Sequence, residues 1–371
     1  MIAMDASVLM IYDKDVNDTE YAEQLITELD YLIKKRELNI GLHSVEFDDA
    51  CEDRFPYIES ENIICMMYFP WKFRNRNIKN FRKRDGLYGG KLHQKKIDDV
   101  YKTVEENIKL LYEEEQGKNV FYINNAYSIS VSRDKKKIKN ILNENNIPTP
   151  VMYETTSTDE ILEIIKENNI YIKPRVGGEG KGITYLTKNK CLTNIDWDIK
   201  YNKTPFVDTH INVFQDDKWD MHKIDKEFKL DFLEDILQRY VLIEKEVDYA
   251  LVNNLKVDFR VYAVFKKPVF ILPRTNKPQN ILTNWSRGGN VETQDFLNNF
   301  SKDVIKNIKQ TAAMAAEVIG ANFIGLDLIP SKDFETIYVL EGQTDPGYTK
   351  QYNLPRSIAN NIIKMIELDG L

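Results

Sequence analysis

The sequence predicts a mixed α/β and α+β fold that begins with a doubly wound α/β region. Strands alternate with amphipathic helices over the first third of the chain, as they do around a parallel sheet. Further along, a glycine-rich stretch joins two strands, and two apolar strands near the end contain acidic residues. A chain of 371 residues is long enough for two or three such regions and a sizeable core.

Composition narrows the functional class. Hydrophobic residues make up 42% and charged residues 29% of the chain, which is typical of a globular protein. The formal charge of −7 argues against general nucleic-acid binding. The three cysteines are widely spaced and the four histidines are scattered, so neither a disulfide framework nor a zinc site is predicted. Because no apolar run has the length of a membrane span and the start lacks a basic region, we expect a cytoplasmic protein without a membrane partner.

The first 130 residues have the pattern of a parallel sheet with helices between its strands. Apolar runs predict strands at residues 7–12, 42–47, 63–69 and 120–123. Apolar residues at helical spacing predict helices at residues 19–35 and 98–112.

A basic segment interrupts this pattern at residues 71–96. It contains ten lysines and arginines, with Asp85 as its one acidic residue and aromatic residues interleaved. One interpretation is a site for an anionic substrate or partner. The other is a solvated loop and helix face, and the sequence leaves both open.

The middle of the chain contains a strand–glycine loop–strand pattern. A helix is expected from Val131 to about residue 143, and another at residues 158–168 with Ser157 as its N-cap. Residues 171–186 then read as a hairpin in which Lys173 precedes four glycines and Lys181. Such glycines let backbone N–H groups approach a phosphate chain, and lysines add positive charge, although plain hairpins also use glycine. Residues 203–234 show little periodicity before residue 232 and receive no role, whereas residues 239–247 read as a strand.

The last third combines arginines with acidic strands. Predicted strands at residues 257–265 and 268–273 bring Arg260 and Arg274, and a helix is expected at 301–319. Two further strands present Asp327, Glu341 and Gln343. Two carboxylates and an amide oxygen at one point suit Mg²⁺ with nucleotide phosphates. The alternative is that the two carboxylates cap strand ends or pair with lysine and arginine.

The order of these motifs resembles the ATP-grasp superfamily, and within it the carboxylate–amine ligases. Ribosomal-protein glutamate ligases, glutathione synthetase and D-alanine–D-alanine ligase are of this kind. The resemblance covers Arg133 to the end of the chain, and the part before Val131 fits the domain that precedes the grasp. The matching motifs are SRDK, IPTP, KPRVGGEGKG, LIEKEV, VDFRV, the arginine of LPR, NWSRGG, GLDLI and EGQTDPG.

The resemblance implies an ATP-grasp fold with three predicted regions. Residues 1–130 form an N-terminal pre-ATP-grasp domain, residues 131–246 a lid subdomain with the glycine loop, and residues 247–371 a subdomain with the metal and phosphate site. It implies catalytic roles for Arg260, Arg274 and Arg287. The implied Mg²⁺ ligands are Asp327, Glu341 and Gln343. Gln343 stands where family members usually have asparagine, and it retains the amide oxygen. Implied ATP contacts are Lys135, Lys173, Gly177, Gly178, Gly180, Lys181, Glu244, Lys245, Val247, Asp258 (for the ribose hydroxyls) and Asn284.

The resemblance also implies an activity. Such ligases transfer the γ-phosphate of ATP to a carboxylate, and an amine then displaces phosphate to form an amide. The expected partners are a small-molecule or peptide carboxylate and an amine, and the basic segment suggests that one of them is anionic. A homo-oligomer is compatible with the resemblance. Two alternatives stay open, a kinase on the same fold and a non-catalytic ATP-binding regulator.

Overall fold

Three β-sheets follow one another along the chain and frame the structure. The computed structural model describes residues 5–14, 20–77, 90–178, 180–195, 221–284, 288–347 and 352–369. The first sheet is parallel, and the two that follow are antiparallel.

The first sheet confirms the predicted doubly wound α/β region. Its strand order is β2–β1–β3–β4. Alternate residues of β1 point to opposite faces: Val8 and Met10 pack with α1, and Leu9 and Ile11 pack with α3. Both faces are therefore buried, which explains the continuous apolar run of β1. The elements are β1 (Ala6–Ile11), α1 (Glu20–Lys35), β2 (Ile40–Val45), α2 (Phe47–Cys51), β3 (Asn62–Met67), α3 (Lys91–Ile108), a π-helical stretch (Lys109–Glu115) and β4 (Asn119–Tyr122).

Two helices connect the first sheet to the second, where one was predicted. The predicted start of the helix at Val131 is wrong, because Asp134 separates two helices, one that ends at Arg133 and one that begins at Lys135. The backbone of Asp134 is extended, and its carboxylate accepts hydrogen bonds from the N–H groups of Lys136 and Lys137, so it caps a new helix. The helices are α4 (Ala126–Arg133) and α5 (Lys135–Glu144).

The second sheet has the order β5–β10–β6–β7–β8–β9. The predicted glycine hairpin is confirmed as β6 and β7, and Ser157 caps α6 as expected. Residues 203–234 show little periodicity before residue 232 in the sequence, but regular structure is present from residue 222, where β9 is followed by a 3₁₀ turn and α7. Residues 196–220 lie outside the described ranges. The elements are β5 (Met152–Tyr153), α6 (Thr158–Glu167), β6 (Ile170–Pro174), β7 (Thr184–Leu186), β8 (Cys191–Thr193), β9 (His222–Lys223), the 3₁₀ turn (Lys226–Phe228), α7 (Lys229–Leu237) and β10 (Val241–Lys245).

The third sheet brings the predicted arginine and acidic strands side by side. Its order is β14–β13–β12–β15–β16, with β11 paired to β12. Helix α8, predicted at residues 301–319, covers its apolar face; Ser301 caps its start, and it ends at Gly320 in the left-handed conformation. The elements are β11 (Leu251–Val252), β12 (Leu255–Val264), β13 (Lys267–Asn276), β14 (Asn290–Val291), a 3₁₀ stretch (Gln294–Asn299), α8 (Lys302–Ile319), β15 (Phe323–Pro330) and β16 (Ile337–Gln343).

The final helix, α9 (Leu354–Asp369), packs against α1 in the N-terminal region. Arg356 contacts Glu28 at 2.8 Å, and apolar residues of α9 share a core with the first sheet and with Phe323 of the third. The first and third sheets thus share a core, whereas the second sheet has a core of its own. The boundaries after residues 130 and 246 stay a prediction. Among the described helices, none combines the length and apolarity needed to cross a membrane.

Candidate functional site

A cleft between the second and third sheets holds most of the predicted site residues. Its empty volume, open mouth included, is about 880 Å³. Predicted residues that line it are Lys135, Lys173, Gly177, Gly178, Gly180, Lys181, Glu244, Lys245, Val247, Asp258, Arg274, Asn284, Asp327 and Glu341. The sequence therefore predicted which residues the fold gathers, although it did not show how they pair.

Two predicted lysines come to the cleft from different elements. Lys135 is the first residue of α5, donates to the carbonyl of Gly177 and lies 3.5 Å from Glu341 Oε2. Lys173 belongs to β6 and donates to Glu244. These ammonium groups place positive charge where the glycine loop and the acidic strand approach each other.

Glu244 is the centre of a buried charge cluster that sequence reasoning described only in part. Its side chain is buried, and Lys139, which was not among the predicted residues, lies 3.0 Å from its Oε2 atom. Burial alone would raise the pKa of Glu244, but Lys139 and Lys173 outweigh burial and lower that pKa to about 2. The available signal was spacing, because Lys139 is four residues after Lys135 and so lies on the same helix face.

The glycine loop has a backbone that requires glycine. Gly177, Gly180 and Gly182 have φ angles of 131°, 67° and 73°. A Cβ on Gly182 would lie 2.7 Å from Pro174, and one on Gly178 would lie 3.2 Å from Nε2 of Gln343. The loop thus runs close to the end of β16.

An ion pair absent from the sequence predictions fixes the base of this loop. Arg175 donates through Nε and Nη2 to Asp134 at 3.0 and 2.6 Å, and the hydroxyl of Tyr240 donates to the same carboxylate. The guanidinium also stacks 4.2 Å from the Tyr240 ring. Asp134 therefore both starts α5, which begins with Lys135, and holds the strand that leads into the glycine loop.

Two arginines and two aspartates form a paired network in the third sheet. Arg274 donates to both oxygens of Asp258, at 2.8 and 2.7 Å, and its Nη2 lies 3.1 Å from Asp327. Arg260 donates to both oxygens of Asp327, and the Thr283 hydroxyl donates to Asp258. Burial alone would raise the pKa of Asp327, but the arginines outweigh burial and hold it well below its usual range.

This network bears on both interpretations of the acidic strands. Asp327 pairs with arginine, as the alternative reading expected, and β12 and β13 supply the two arginines. Glu341 is the cross-strand partner of Asp327 and lines the same cleft. Gly342 lies against apolar side chains, so Glu341 and Gln343 share the opposite face, as predicted.

Among the described residues, no three His, Cys, Asp or Glu side chains form a metal cluster, so any ion there would also need Gln343 or a ligand's oxygens.

The other end of the cleft contains residues that sequence reasoning missed. Lys256 is buried and lies 4.4 Å from the centre of the Tyr249 ring, and Tyr171 lies near it. Glu246 accepts hydrogen bonds from the hydroxyls of Tyr185 and Tyr171. Single aromatic residues and a lone lysine have no distinctive spacing, so only the fold shows that they meet.

Two sequence predictions fall wholly or partly outside the described residues. Arg287 is one of them, and residues 78–89 of the basic segment are the other. In the described part of that segment, Lys72 pairs with Glu46 at 2.6 Å and Arg76 with Asp48 at 2.5 Å. Arg74 is buried and lies 5.0 Å from the Trp71 ring. These three residues thus have contacts within the protein, and an anionic partner stays a prediction.

Comparison with known proteins identifies the family. The model of the YheC/D-like ATP-grasp family matches residues 119–366, about two-thirds of the chain. The chain belongs to this ATP-grasp family. Its curated relatives include the probable alpha-L-glutamate ligase of Stutzerimonas stutzeri (strain A1501), 25% identical over 258 residues and 68% of each chain. The probable alpha-L-glutamate ligase 2 of Hahella chejuensis (strain KCTC 2396) is 25% identical over 259 residues, with the same coverage.

Solved structures agree with the ATP-grasp fold. D-alanine–D-alanine ligase from Bacillus anthracis, complexed with ATP, has a TM-score of 0.53 at 15% identity and covers 99% of this chain and 97% of its own. The ATP-grasp ligase PsnB, complexed with a minimal precursor, has a TM-score of 0.53 at 13% identity and covers 97% and 99%. The predicted ATP-grasp fold is therefore confirmed, and these relatives and neighbours are named as ligases, the class that the sequence predicted.

The buried cluster gives a test of how this ATP-grasp site is held together. We expect Glu244→Gln to lower the free energy of unfolding at pH 7 by about 3–5 kcal/mol, because Lys139 then stays buried without a carboxylate. The stabilisation by wild-type Glu244 is fully present above pH 4.5, the pKa of an ordinary glutamate, and is lost as the pH falls towards 2. The difference between the two proteins in urea unfolding should therefore narrow below pH 4.5.

Glu163→Gln is the matched control for this variant. Glu163 pairs with Lys166 on the exposed face of α6, so its replacement should change stability by less than about 1 kcal/mol. An equally small loss in Glu244→Gln would contradict the assigned role of the buried cluster.

Proposed function

We propose that this protein is an ADP-forming carboxylate–amine ligase that binds ATP with Mg²⁺ in the cleft between the second and third sheets. The observation that supports this most strongly is the convergence of opposite charges on one cleft of an ATP-grasp fold. Lys135, Lys173 and Arg274 provide cations, and Asp327 and Glu341 provide oxygen donors. Phosphoryl transfer depends on such neutralisation and positioning more than on a covalent nucleophile.

The cleft offers a separate place for each part of a nucleotide. Residues 245–247 line the end of the cleft that would hold the base. The N–H groups of Lys245 and Glu246 already donate to Val151 and Asn169, so the backbone of Val247 is the part proposed to contact the base. Lys135 and Lys173 lie where the phosphates would extend, next to the glycine loop. That loop can cover the phosphates with backbone N–H groups and exclude water.

The donor set fits Mg²⁺. Asp327 and Glu341 offer carboxylate oxygens in the cleft, and Gln343, two residues after Glu341 on β16, would add its amide oxygen. Mg²⁺ prefers a few carboxylates together with phosphate oxygens. When bound there, Mg²⁺ would supply neutralising charge to the phosphates. Arg260 and Arg274 pair with Asp327 in this structure, and either guanidinium that leaves the aspartate can bind a phosphate oxygen.

The proposed reaction has two steps. A carboxylate oxygen of the substrate attacks the γ-phosphorus of ATP, and the bond between that phosphorus and the β,γ-bridging oxygen breaks. The products of this step are ADP and an acyl phosphate. The nitrogen of an amine then attacks the carbonyl carbon, the carbon–oxygen bond to phosphate breaks, and phosphate leaves while the nitrogen loses a proton. Arg260 and Arg274 stabilise the negative charge on the transferred group.

The substrates are proposed at the level of chemical class. The curated relatives are named alpha-L-glutamate ligases, and the structural neighbours include a D-alanine–D-alanine ligase and a ligase complexed with a peptide precursor. An amino acid or peptide carboxylate and an amino group are therefore the first substrates to test.

Reaction products distinguish the ligase from its alternatives. The protein is incubated with Mg²⁺, ATP and a panel of amino acids, dipeptides and small acids. We expect ADP and free phosphate to form in equal amounts, with a new mass equal to acid plus amine minus water. A product heavier by one phosphoryl group without free phosphate would indicate a kinase, and ATP binding without turnover on any panel member would favour a regulator.

The acidic strand gives a second test of the proposal. We expect Glu341→Gln to reduce kcat at least about 100-fold, because a neutral amide neither holds Mg²⁺ nor balances Lys135 as the carboxylate does. Thermal unfolding should show that the variant stays folded, since Glu341 is only partly buried.

Glu335→Gln is the control for Glu341→Gln, since Glu335 lies exposed in the β15–β16 turn and outside the cleft. Its activity should equal that of the wild type. Wild-type turnover in Glu341→Gln would contradict the metal assignment.

A further inference from the structure

One buried lysine in the cleft has no role in the family resemblance or in the proposed chemistry. Lys256 lies two residues before Asp258 on β12, so both side chains point to the same face of the sheet and both line the cleft. The residue is 7% exposed. A lysine this deeply buried is uncommon and requires partners for its charge.

The position of Lys256 along the cleft corresponds to the sugar of a bound nucleotide. Lys135 and Glu341 mark the phosphate end. The other end is formed by residues 245–247 and by Tyr249, whose ring lies 4.4 Å from the Lys256 ammonium. Along β12, Lys256 lies between Tyr249 at that end and Asp258, which connects through Arg274 to Asp327 towards the phosphate end. Since the sugar links base and phosphates covalently, it would pass beside Lys256.

The contacts of Lys256 within the protein leave donors unused. Its Nζ atom donates to the carbonyl of Ile281 at 3.0 Å. An ammonium group has three N–H donors, and the other two donate to no oxygen or nitrogen atom of the residues that the structure describes. The rings of Tyr249 and Tyr171, with centres at 4.4 and 6.0 Å, are the other groups recorded near it. Burial lowers the pKa of Lys256 to about 8, while Glu246 and Asp258 act in the opposite direction, so the group is charged at neutral pH.

The aspartate that the resemblance assigns to the ribose is already engaged. Both oxygens of Asp258 accept hydrogen bonds from Arg274, and one also accepts from Thr283. The side chain is 2% exposed. Lys256 therefore has hydrogen-bonding capacity to offer a ligand, whereas that of Asp258 is largely used within the protein.

We infer that Lys256 binds the ribose of the nucleotide by donating to a 2′- or 3′-hydroxyl oxygen, and thereby selects ribonucleotides over deoxyribonucleotides. This inference rests on the proposed binding of ATP in the cleft. A nucleotide without that hydroxyl would leave an N–H donor of the buried ammonium group without an acceptor. The lost hydrogen bond lowers the affinity for the deoxyribonucleotide relative to the ribonucleotide.

Calorimetric binding of three nucleotides tests the inference. ATP, 2′-deoxy-ATP and 3′-deoxy-ATP are titrated with Mg²⁺ into the wild type, Lys256→Met, Lys256→Gln and the control Lys267→Met. Lys267 is exposed at the far end of β13 and does not line the cleft. We expect the wild type and the control to bind at least one deoxy analogue roughly tenfold more weakly than ATP.

Lys256→Met should bind ATP about as weakly as the wild type binds that deoxy analogue. The ratio of the affinities of the variant for ATP and for the deoxy analogue should therefore fall to near one. Lys256→Gln retains neutral donors and should keep part of the discrimination, which provides a second variant if methionine prevents folding. A variant that keeps the wild-type ratio, or that weakens all three nucleotides equally, would overturn the role of Lys256 while leaving the ATP site intact. Absence of binding of all three to the wild type would overturn the proposed function as well.

Discussion

The pairing of two arginines with two aspartates is the constraint on which the site depends. Asp258 and Asp327 lie on buried faces of β12 and β15, where an unpaired carboxylate would be very unfavourable. Arg260 and Arg274 are their cross-strand partners, so the strand register itself places each guanidinium opposite a carboxylate. Without bound nucleotide, the network balances its own charge, and it can therefore remain inside the protein until a ligand with phosphate and metal offers replacement partners.

Pairs of opposite charges also stabilise the side of the cleft that the second sheet and α5 form. Glu244 lies between Lys139 and Lys173, and Asp134 lies between Arg175 and the first turn of α5. Both carboxylates fix elements that bring positive groups to the cleft. Most of the charges that face the gap between the two sheets are thus satisfied in pairs, as expected for a site that binds a highly charged ligand. Lys256 is an exception, because its ammonium group donates to a carbonyl and not to a carboxylate.

The sequence predicted most of the frame because its signals are periodic. The short apolar run of β1, the amphipathic pattern of α8 and the glycines before β7 each reflect a local rule of backbone geometry or burial. The helix around Val131 was predicted with the wrong start, since the capping carboxylate of Asp134 outweighed the apparent continuity of the pattern.

The gathering of site residues was also predictable, whereas their pairing was not. The motif order placed Asp327 and Glu341 in one cleft, but the contact between Asp258 and Arg274 depends on register, which only the folded sheet defines. Lys139 and Lys256 were missed for a related reason. Each is a single lysine whose burial results from elements distant in sequence, and a lone lysine most often lies on the surface.

The most direct measurement is a crystal structure with Mg²⁺ and a non-hydrolysable ATP analogue. The account predicts that the phosphates lie between Lys135 and the third sheet, that Mg²⁺ contacts Asp327 and Glu341, and that at least one arginine has moved from Asp327 to a phosphate oxygen. A nucleotide bound elsewhere, or bound in the cleft with both arginines still on Asp327 and no metal beside it, would contradict the account.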